Sequence, residues 1–454
     1  MPKVSIREID NTGSETLEYL NYTVLIPGPK LGFWTKDDQD VDVFKEFTVK
    51  KSDIFKSPKD FPEDLEPFNE GSVFDKGSYD YKKDLGHLMI RELLSKGLTV
   101  KYVPAYTVDK DYDITATENS SFFRAYKDKG LIDLRFITIG GLSRLEDYVE
   151  FAQEALMCAG DRGDAVAILD VPEKGYSGSD LEEQDLDNTD LIDEWVQDNF
   201  GYLAAATVNP DYRDGVSWSN QEKAVETYGR YGAIFAPWLV VKFGKDYQKI
   251  PGSFNYLASF AKYILRYKSW FATSGSVRGV SPYSGIIPTV EFGDADVNIL
   301  QVRTGDAGTW ADGHVATDVV CNIRPYGNII WGNRTMHPLS KPSNDTGDAA
   351  IQLTASSFLN IRQLCIDIKK TLYRAARRFT FEPNSDVLWI NFKGAITPLL
   401  EEMKANQGIK GYQIIQLQTN KKALLVAKIK IVPIEAVEDF DLTVELNDSI
   451  SVTE

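Results

Sequence analysis

With 454 residues, 43% of them apolar and 12% aromatic, the chain can bury one large core or about two to three smaller ones, as a globular protein of several domains does. Its net charge of −17 repels phosphate unless the bases are segregated onto one face, so direct nucleic acid binding is not expected. The opening Met1-Pro2-Lys3-Val4-Ser5-Ile6-Arg7-Glu8 has no apolar signal-peptide core, and no run approaches the roughly 18 to 20 apolar residues that span a bilayer, so neither signal-peptide export nor membrane insertion is expected.

Residues 1–20 alternate at Val4, Ile6 and Ile9, then turn through Asn11-Thr12-Gly13-Ser14 before a first core strand at Tyr22–Ile26, which predicts a detached arm or edge strand. Residues 35–80, rich in Asp, Lys, Pro and Phe, read as long loops with short elements. A helix over about 83–96 buries Leu85, Met89 and Leu93 and is followed by a strand at Thr99–Val103. The unit repeats: a strand at Leu134–Ile139, a helix carrying Tyr148, Phe151 and Leu156, and a fully buried strand at Ala165–Leu169, implying a largely parallel sheet. An acidic loop is expected over 177–194, strands at Tyr202–Val208 and Ala233–Val241, and a helix near 253–267. Residues 279–325 read as strands joined by loops, ending in Val319–Ile323 and Asn328–Trp331, and Pro342–Gly347 marks a domain boundary.

Beyond it the clearest helix aligns Phe358, Ile361, Leu364, Cys365, Ile368, Leu372 and Phe379, with Pro383 as its stop. A shorter helix over about 397–405 follows, then period-two runs at Ile414–Leu417, Leu424–Val432 and Leu442–Leu446. The last sits in an acidic tail with no evident partner, so each end of the chain carries a strand-like arm.

Chemistry has little to build on. Cys158, Cys321 and Cys365 are far apart and odd in number, which disfavours a disulfide framework or thiolate zinc site. His87, His314 and His337 stand outside any His-Glu-x-x-His setting, and Gly244-Lys245-Asp246 lacks the earlier glycine and the hydroxyl of a phosphate-binding loop. Gly175–Ser179 and Ser274-Gly275-Ser276 are not the Gly-x-Ser-x-Gly elbow of a serine hydrolase and read as turns. Carboxylates such as Asp294 and Asp296 are too abundant for any chosen pair to be informative. No catalytic residue, metal or cofactor is therefore expected.

The long helix is exceptional in an acidic chain. Arg362, Lys369, Lys370, Arg374, Arg377 and Arg378 face one acid, Asp367. A solvated face with a favourable helix C-terminus accounts for it; so does a positive stripe that meets an acidic protein. Glu401 and Glu402 are alternative partners within the subunit.

Phe358–Arg362, the helix after it and Phe381-Glu382-Pro383-Asn384-Ser385-Asp386-Val387-Leu388-Trp389 resemble the C-terminal domain of contractile tail sheath proteins of bacteriophages and related injection machines. Trp331-Gly332-Asn333-Arg334-Thr335 is similar to the family's Trp-Gly-x-Arg-Thr segment. Pro251-Gly252-Ser253, Ser276–Gly279, Arg135-Phe136 to Gly140-Gly141 and Arg162–Pro172 follow in the family's arrangement, which spans about 20–435, whereas 35–80 matches poorly.

The resemblance implies an α/β and α+β multi-domain protein: an arm over 1–20, a central α/β, subtilisin-like sheath region over 21–345, a C-terminal sheath domain over 346–435 and a second arm over 436–454. Val4, Ile6, Ile9, Leu442, Val444 and Leu446 would be strands donated to neighbouring copies, with Leu424–Val432 in the accepting sheet. The implied function is structural: a compact virion tail sheath, assembled in the host cytoplasm as a helical homo-oligomer of stacked hexameric rings around a tail tube. Its contraction drives the tube through the host envelope for genome delivery. Baseplate and tail terminator proteins are the further implied partners. Lys369, Lys370, Arg374, Arg377 and Arg378 would then form a tube-facing basic helix. A sheath of a non-viral injection or type VI secretion system, a subtilisin-like hydrolase, and a tube or baseplate protein are the alternatives.

Overall fold

The protein's structure is a computed structural model that describes residues 22–68, 74–145, 147–173, 188–208, 226–301, 314–339, 353–417, 425–434 and 436. The first described element is β1 (Thr23–Pro29), followed by β2 (Leu31–Lys36), β3 (Asp42–Glu46) and β4 (Glu66–Pro67), then α1 (Leu85–Ser95), β5 (Thr99–Val108) and β6 (Ile114–Ala116). Next come β7 (Phe136–Thr138), α2 (Tyr148–Arg162), β8 (Val166–Asp170), α3 (Thr189–Ala205), β9 (Gly232–Ala236), β10 (Leu239–Phe243) and β11 (Asp246–Ile250). After α4 (Gly252–Ile264), α5 (Gly275–Arg278), β12 (Ser284–Pro288) and α6 (Asp294–Gln301), β13 (Asp318–Ile323) and β14 (Gly327–Ile330) complete the central sheet. The remaining described elements are α7 (Leu359–Arg377), α8 (Asp386–Ala405), β15 (Ile409–Leu417) and β16 (Val426–Pro433).

Among the described residues the central sheet has eight strands in the order β14-β13-β9-β8-β7-β1-β5-β6, parallel from β13 to β5 with an antiparallel strand at each end of that order. Its strands are apolar on both faces because both faces are covered. Leu25, Ile137, Ala167 and Leu169 point into a core with α2, α3 and α6, while Val24, Ile26, Phe136, Val166 and Ile168 point into another with α1 and α4. Two three-stranded sheets, β3-β2-β4 and β11-β10-β12, and the pair β15-β16 stand outside it.

Four readings of the sequence are corrected. Tyr202 to Ala205 is the last turn of α3, which starts inside the expected acidic loop because Asn188 caps it, its side chain accepting from the Leu191 N–H. The run Ala233–Val241 is two strands, β9 and β10, split at Pro237, which has no N–H to continue a ladder. Between 279 and 325 lies a helix, α6, as well as strands; Asp296 helps start it by accepting from the Gly293 N–H. The short helix expected near 397 begins at Asp386, capped by Ser385, and continues through Pro398. Proline there costs the carbonyl of Gly394 its helical bond, but Gly394 is exposed and that carbonyl can be hydrated. The boundary at 342–347, Gly175–Ser179 and both terminal arms lie outside the described residues.

Candidate assembly site

The long basic helix is rooted in the central sheet. α7 crosses the N-terminal ends of the parallel strands, where Arg135, just before β7, meets it. Arg135 and Asp367 form an ion pair, 1% and 0% exposed respectively. The Arg135 guanidinium also donates to the Gln363 side chain and, at 3.1 Å, to its carbonyl, while the Ser269 hydroxyl donates to Asp367. Tyr22 lies under the guanidinium, 5.6 Å away, and burial pushes its phenol well above the usual range.

The same rooting involves three of the five expected tube-facing residues. Lys370 is buried, paired with Asp133, and donates to the Leu134 carbonyl at 2.6 Å. Burial lowers its pKa, and the carboxylates of Asp164 and Asp133 oppose that shift. Arg374 also reaches Asp133, at 2.8 Å, and Lys369 donates to the Tyr231 hydroxyl at 2.9 Å beside Glu226. Lys370 thus sits within the subunit, because an ammonium leaves water only where it finds a carboxylate, whereas Lys369 and Arg374 stay 42% and 45% exposed beside their carboxylates. Arg377 and Arg378 remain on the surface. Glu401 and Glu402 do not serve the stripe: Tyr412 donates to the first at 2.6 Å, and Lys268 lies 3.6 Å from the second.

The Trp-Gly-x-Arg-Thr segment clasps the start of α7. The side chain of Asn333 accepts from the Asn360 N–H at 3.1 Å and donates to the Asn360 side chain at 2.8 Å. Thr335 donates through its hydroxyl to Ser356 and through its N–H to Ser357. Arg334 stacks on Phe358 and donates to the Gln301 carbonyl, while its own N–H donates to Asp318. Gly332 is required by space: a Cβ there would lie 2.4 Å from the Asp318 carboxylate and 2.9 Å from its Cα. Gly332→Ala should therefore destabilise by about 1–3 kcal/mol in urea unfolding, whereas Gly201→Ala, in a helix with nothing within 4 Å, should leave stability unchanged or raised.

Beyond the clasp, α8 carries β15 and β16, paired antiparallel from Ile409↔Pro433 to Leu417↔Val426. Ile414 and Ile429 lie against Phe392 and Ile396, yet no residue of β16 is fully buried. Among the described residues these strands pair only with each other. A two-stranded sheet of this kind is marginal in water without further strands or a covering layer. The six expected arm residues, Val4, Ile6, Ile9, Leu442, Val444 and Leu446, are outside the described residues.

In open α/β sheets the usual ligand position is the crevice at the C-terminal strand ends where the strand order reverses, here between β1 and β7. The chain's own groups fill it. The Tyr106 hydroxyl is so close to Gly86 and Gly141 that a Cβ on either would come within 2.3 Å of it, and it donates to Asp84 at 3.1 Å. Asp84 in turn caps α1, accepting from the His87 N–H at 2.6 Å, and burial pushes its carboxyl up to about 6. His87 packs among Phe61, Tyr79 and Tyr81, and burial lowers it to about 3. At the end of β8, Asp170 accepts from the Ser253 N–H at 2.8 Å, and burial raises it to about 7. His314 instead sits 3.2 Å from Asp193 and His337 3.2 Å from Thr227. The described residues hold no group of three or more His, Cys, Asp or Glu suited to a metal, and no described helix is long and apolar enough to cross a membrane.

Sequence reasoning noted Asp367 as the lone acid of the stripe but missed its partner, Arg135. The signal was a charged residue at the entry to a buried strand, which needs a counter-charge.

Residues 354–447 match the family model of the phage tail sheath C-terminal domain. No curated protein matches the chain in sequence. Among solved structures, the sheath of an extracellular contractile injection system, PVC, in the contracted state is 14% identical with a TM-score of 0.57, over 99% of this chain and 98% of that one. The contracted helical sheath of the anti-feeding prophage, AFP, is 14% identical with a TM-score of 0.51, over 98% and 99%. A chain of the AFP baseplate is 12% identical with a TM-score of 0.52, over 98% and 99%.

Proposed function

We propose that this chain, which carries a phage tail sheath C-terminal domain on a fold shared with contractile injection system sheaths, is a contractile sheath subunit that polymerises helically around a tube and acts by shortening. The observation that carries the reading is the match over 354–447, the stretch that contains the rooted helix and the unfinished β15–β16 pair. Strands donated by neighbouring copies, around Val4–Ile9 and Leu442–Leu446, would complete that pair by β-strand addition. Residues 434–454 hold seven acids and no base, opposite Lys410, Lys428 and Lys430 on the accepting strands. At roughly 0.5–1.5 kcal/mol per main-chain bond, one arm is a modest link and a lattice of arms a strong one. The work of contraction is then stored in assembly and released as new subunit contacts form.

The named fold neighbours favour the sheath of a non-viral injection system over a virion tail, and a baseplate as a partner. Genes beside this one distinguish the two: capsid and terminase genes for a phage, toxin genes for an injection machine. Negative-stain electron microscopy of the purified protein, intact and lacking residues 440–454, tests the reading. Striated hollow cylinders from the intact chain and none from the truncated one are expected; an intact chain that stays monomeric in every salt condition rejects it.

A further inference from the structure

The start of α7 holds a buried positive charge that no described carboxylate answers. Arg362 lies in the first turn of the helix and is 6% exposed. Its guanidinium stacks 4.5 Å from the centre of the Tyr231 ring, which covers one face and leaves the in-plane N–H groups unserved. The Arg362 Nε is buried without an acceptor, and among the described residues no carboxylate pairs with the group. Glu226 is engaged beside it: it accepts from the Tyr231 hydroxyl at 2.8 Å and stands 3.5 Å from Lys369. A guanidinium taken out of water without a counter-charge is costly.

Its position adds to the cost. The N-terminal end of a helix is electropositive, helical side chains lean back toward that end, and α7 has no acid in its first turn. Two further basic groups gather there. Arg230 directly precedes Tyr231 in the chain, and both it and His337, which follows the clasp, are half-buried. The His337 Nδ1 is 3.2 Å from the Thr227 hydroxyl, and burial together with the charges of Arg230 and Arg362 lowers its imidazole to about 4. Two guanidiniums and an imidazole at a helix start are suited to an oxyanion, because the planar fork of arginine matches two oxygens of one phosphate.

We propose that Arg362, with Arg230 and His337, binds a free oxyanion of the phosphate class at the start of α7. The ion neutralises Arg362 and ties the helix to β9, into which Tyr231 leads. The site belongs to the single subunit and stands whether or not the chain assembles.

Urea unfolding of the full-length chain at pH 7, with inorganic phosphate exchanged for chloride at constant ionic strength, tests it. Without phosphate, Arg362→Met should be more stable than the parent, since it removes a buried charge that has no partner. In millimolar phosphate the parent's midpoint should rise to a plateau and the variant's should not, so that their order reverses. Phosphorus NMR titration supplies a second readout. Arg230→Gln should bind phosphate about tenfold more weakly than the parent, while Lys245→Gln, in the exposed turn between β10 and β11, should bind it equally. A parent that binds no phosphate overturns the proposal, as does binding that Arg230→Gln leaves unchanged. A phosphate effect of the same size in Arg362→Met is a general salt effect and overturns it too. If Arg362→Met is the less stable protein without phosphate, a carboxylate from outside the described residues already answers the charge, and the site is not one for a free ion.

Discussion

Asp367→Asn is expected to loosen α7 from the central sheet, costing about 3–5 kcal/mol, the scale for breaking a buried ion pair by removing one partner. The loss arises because Arg135, 1% exposed, keeps its charge with no carboxylate to answer it. Amide hydrogen exchange across α7, read by mass spectrometry, should speed by orders of magnitude while α2 and β8 stay protected. The double variant Arg135→Met with Asp367→Leu should recover most of the loss, since well-packed apolar groups commonly replace a buried pair without penalty. If the single variant exchanges like the parent, the helix is held by its apolar face alone.

The second large effect is on pH dependence. Asp170 has a folded pKa of about 7 against an ordinary 3.8, because burial disfavours its charge more than the Ser253 hydrogen bonds favour it. Its protonated form therefore suits the fold. The stability it confers is complete below about pH 4 and is lost as pH rises through 7, at about 1.4 kcal/mol per unit. Asp84, raised to about 6, acts in the same direction over a shorter span. Urea midpoints of the intact protein should fall between pH 5 and 8, and Asp170→Asn should flatten much of that fall and exceed the parent at pH 8. A variant less stable than the parent at pH 8 would mean that the carboxylate is wanted in its charged form.

The parallel sheet was readable because its strands are short apolar runs between amphipathic helices: Ala165–Leu169 and Thr99–Val103 admit no other use once Gly97 and Gly163 end the helices before them. Tyr202–Val208 failed for the complementary reason. A short apolar run fits a strand or a buried helical turn equally, and the cap that decides it, Asn188, lies fourteen residues upstream of Tyr202, within what reads as loop. Pro398 misdirected the start of α8 because proline is a reliable boundary only where its missing bond cannot be replaced by water.

At the candidate site, the sequence shows charge without showing direction. Lys370 and Arg378 are equivalent as letters, but Lys370 falls on the side of α7 that meets Asp133 and Arg378 at the free end. Which neighbour a helical face meets is set by contacts between residues some 230 positions apart, such as Arg135 and Asp367, and no local pattern encodes those.

The rooting of α7 also determines how the molecule carries load. The helix is about 28 Å long at 1.5 Å per residue, and its first half lies within the close-packed, poorly compressible interior. A pull on the β15–β16 hairpin has little slack to take up before it reaches the Asp133 and Arg135 anchorages. Along the strands, that pull would strain the hairpin's register from Ile409 to Leu417 in shear, with its hydrogen bonds sharing the tension rather than parting one by one. The hairpin is thus stiff in line with its strands and weakest to peeling across them, so tension that arrives along the strands is carried into α7 with little stretch.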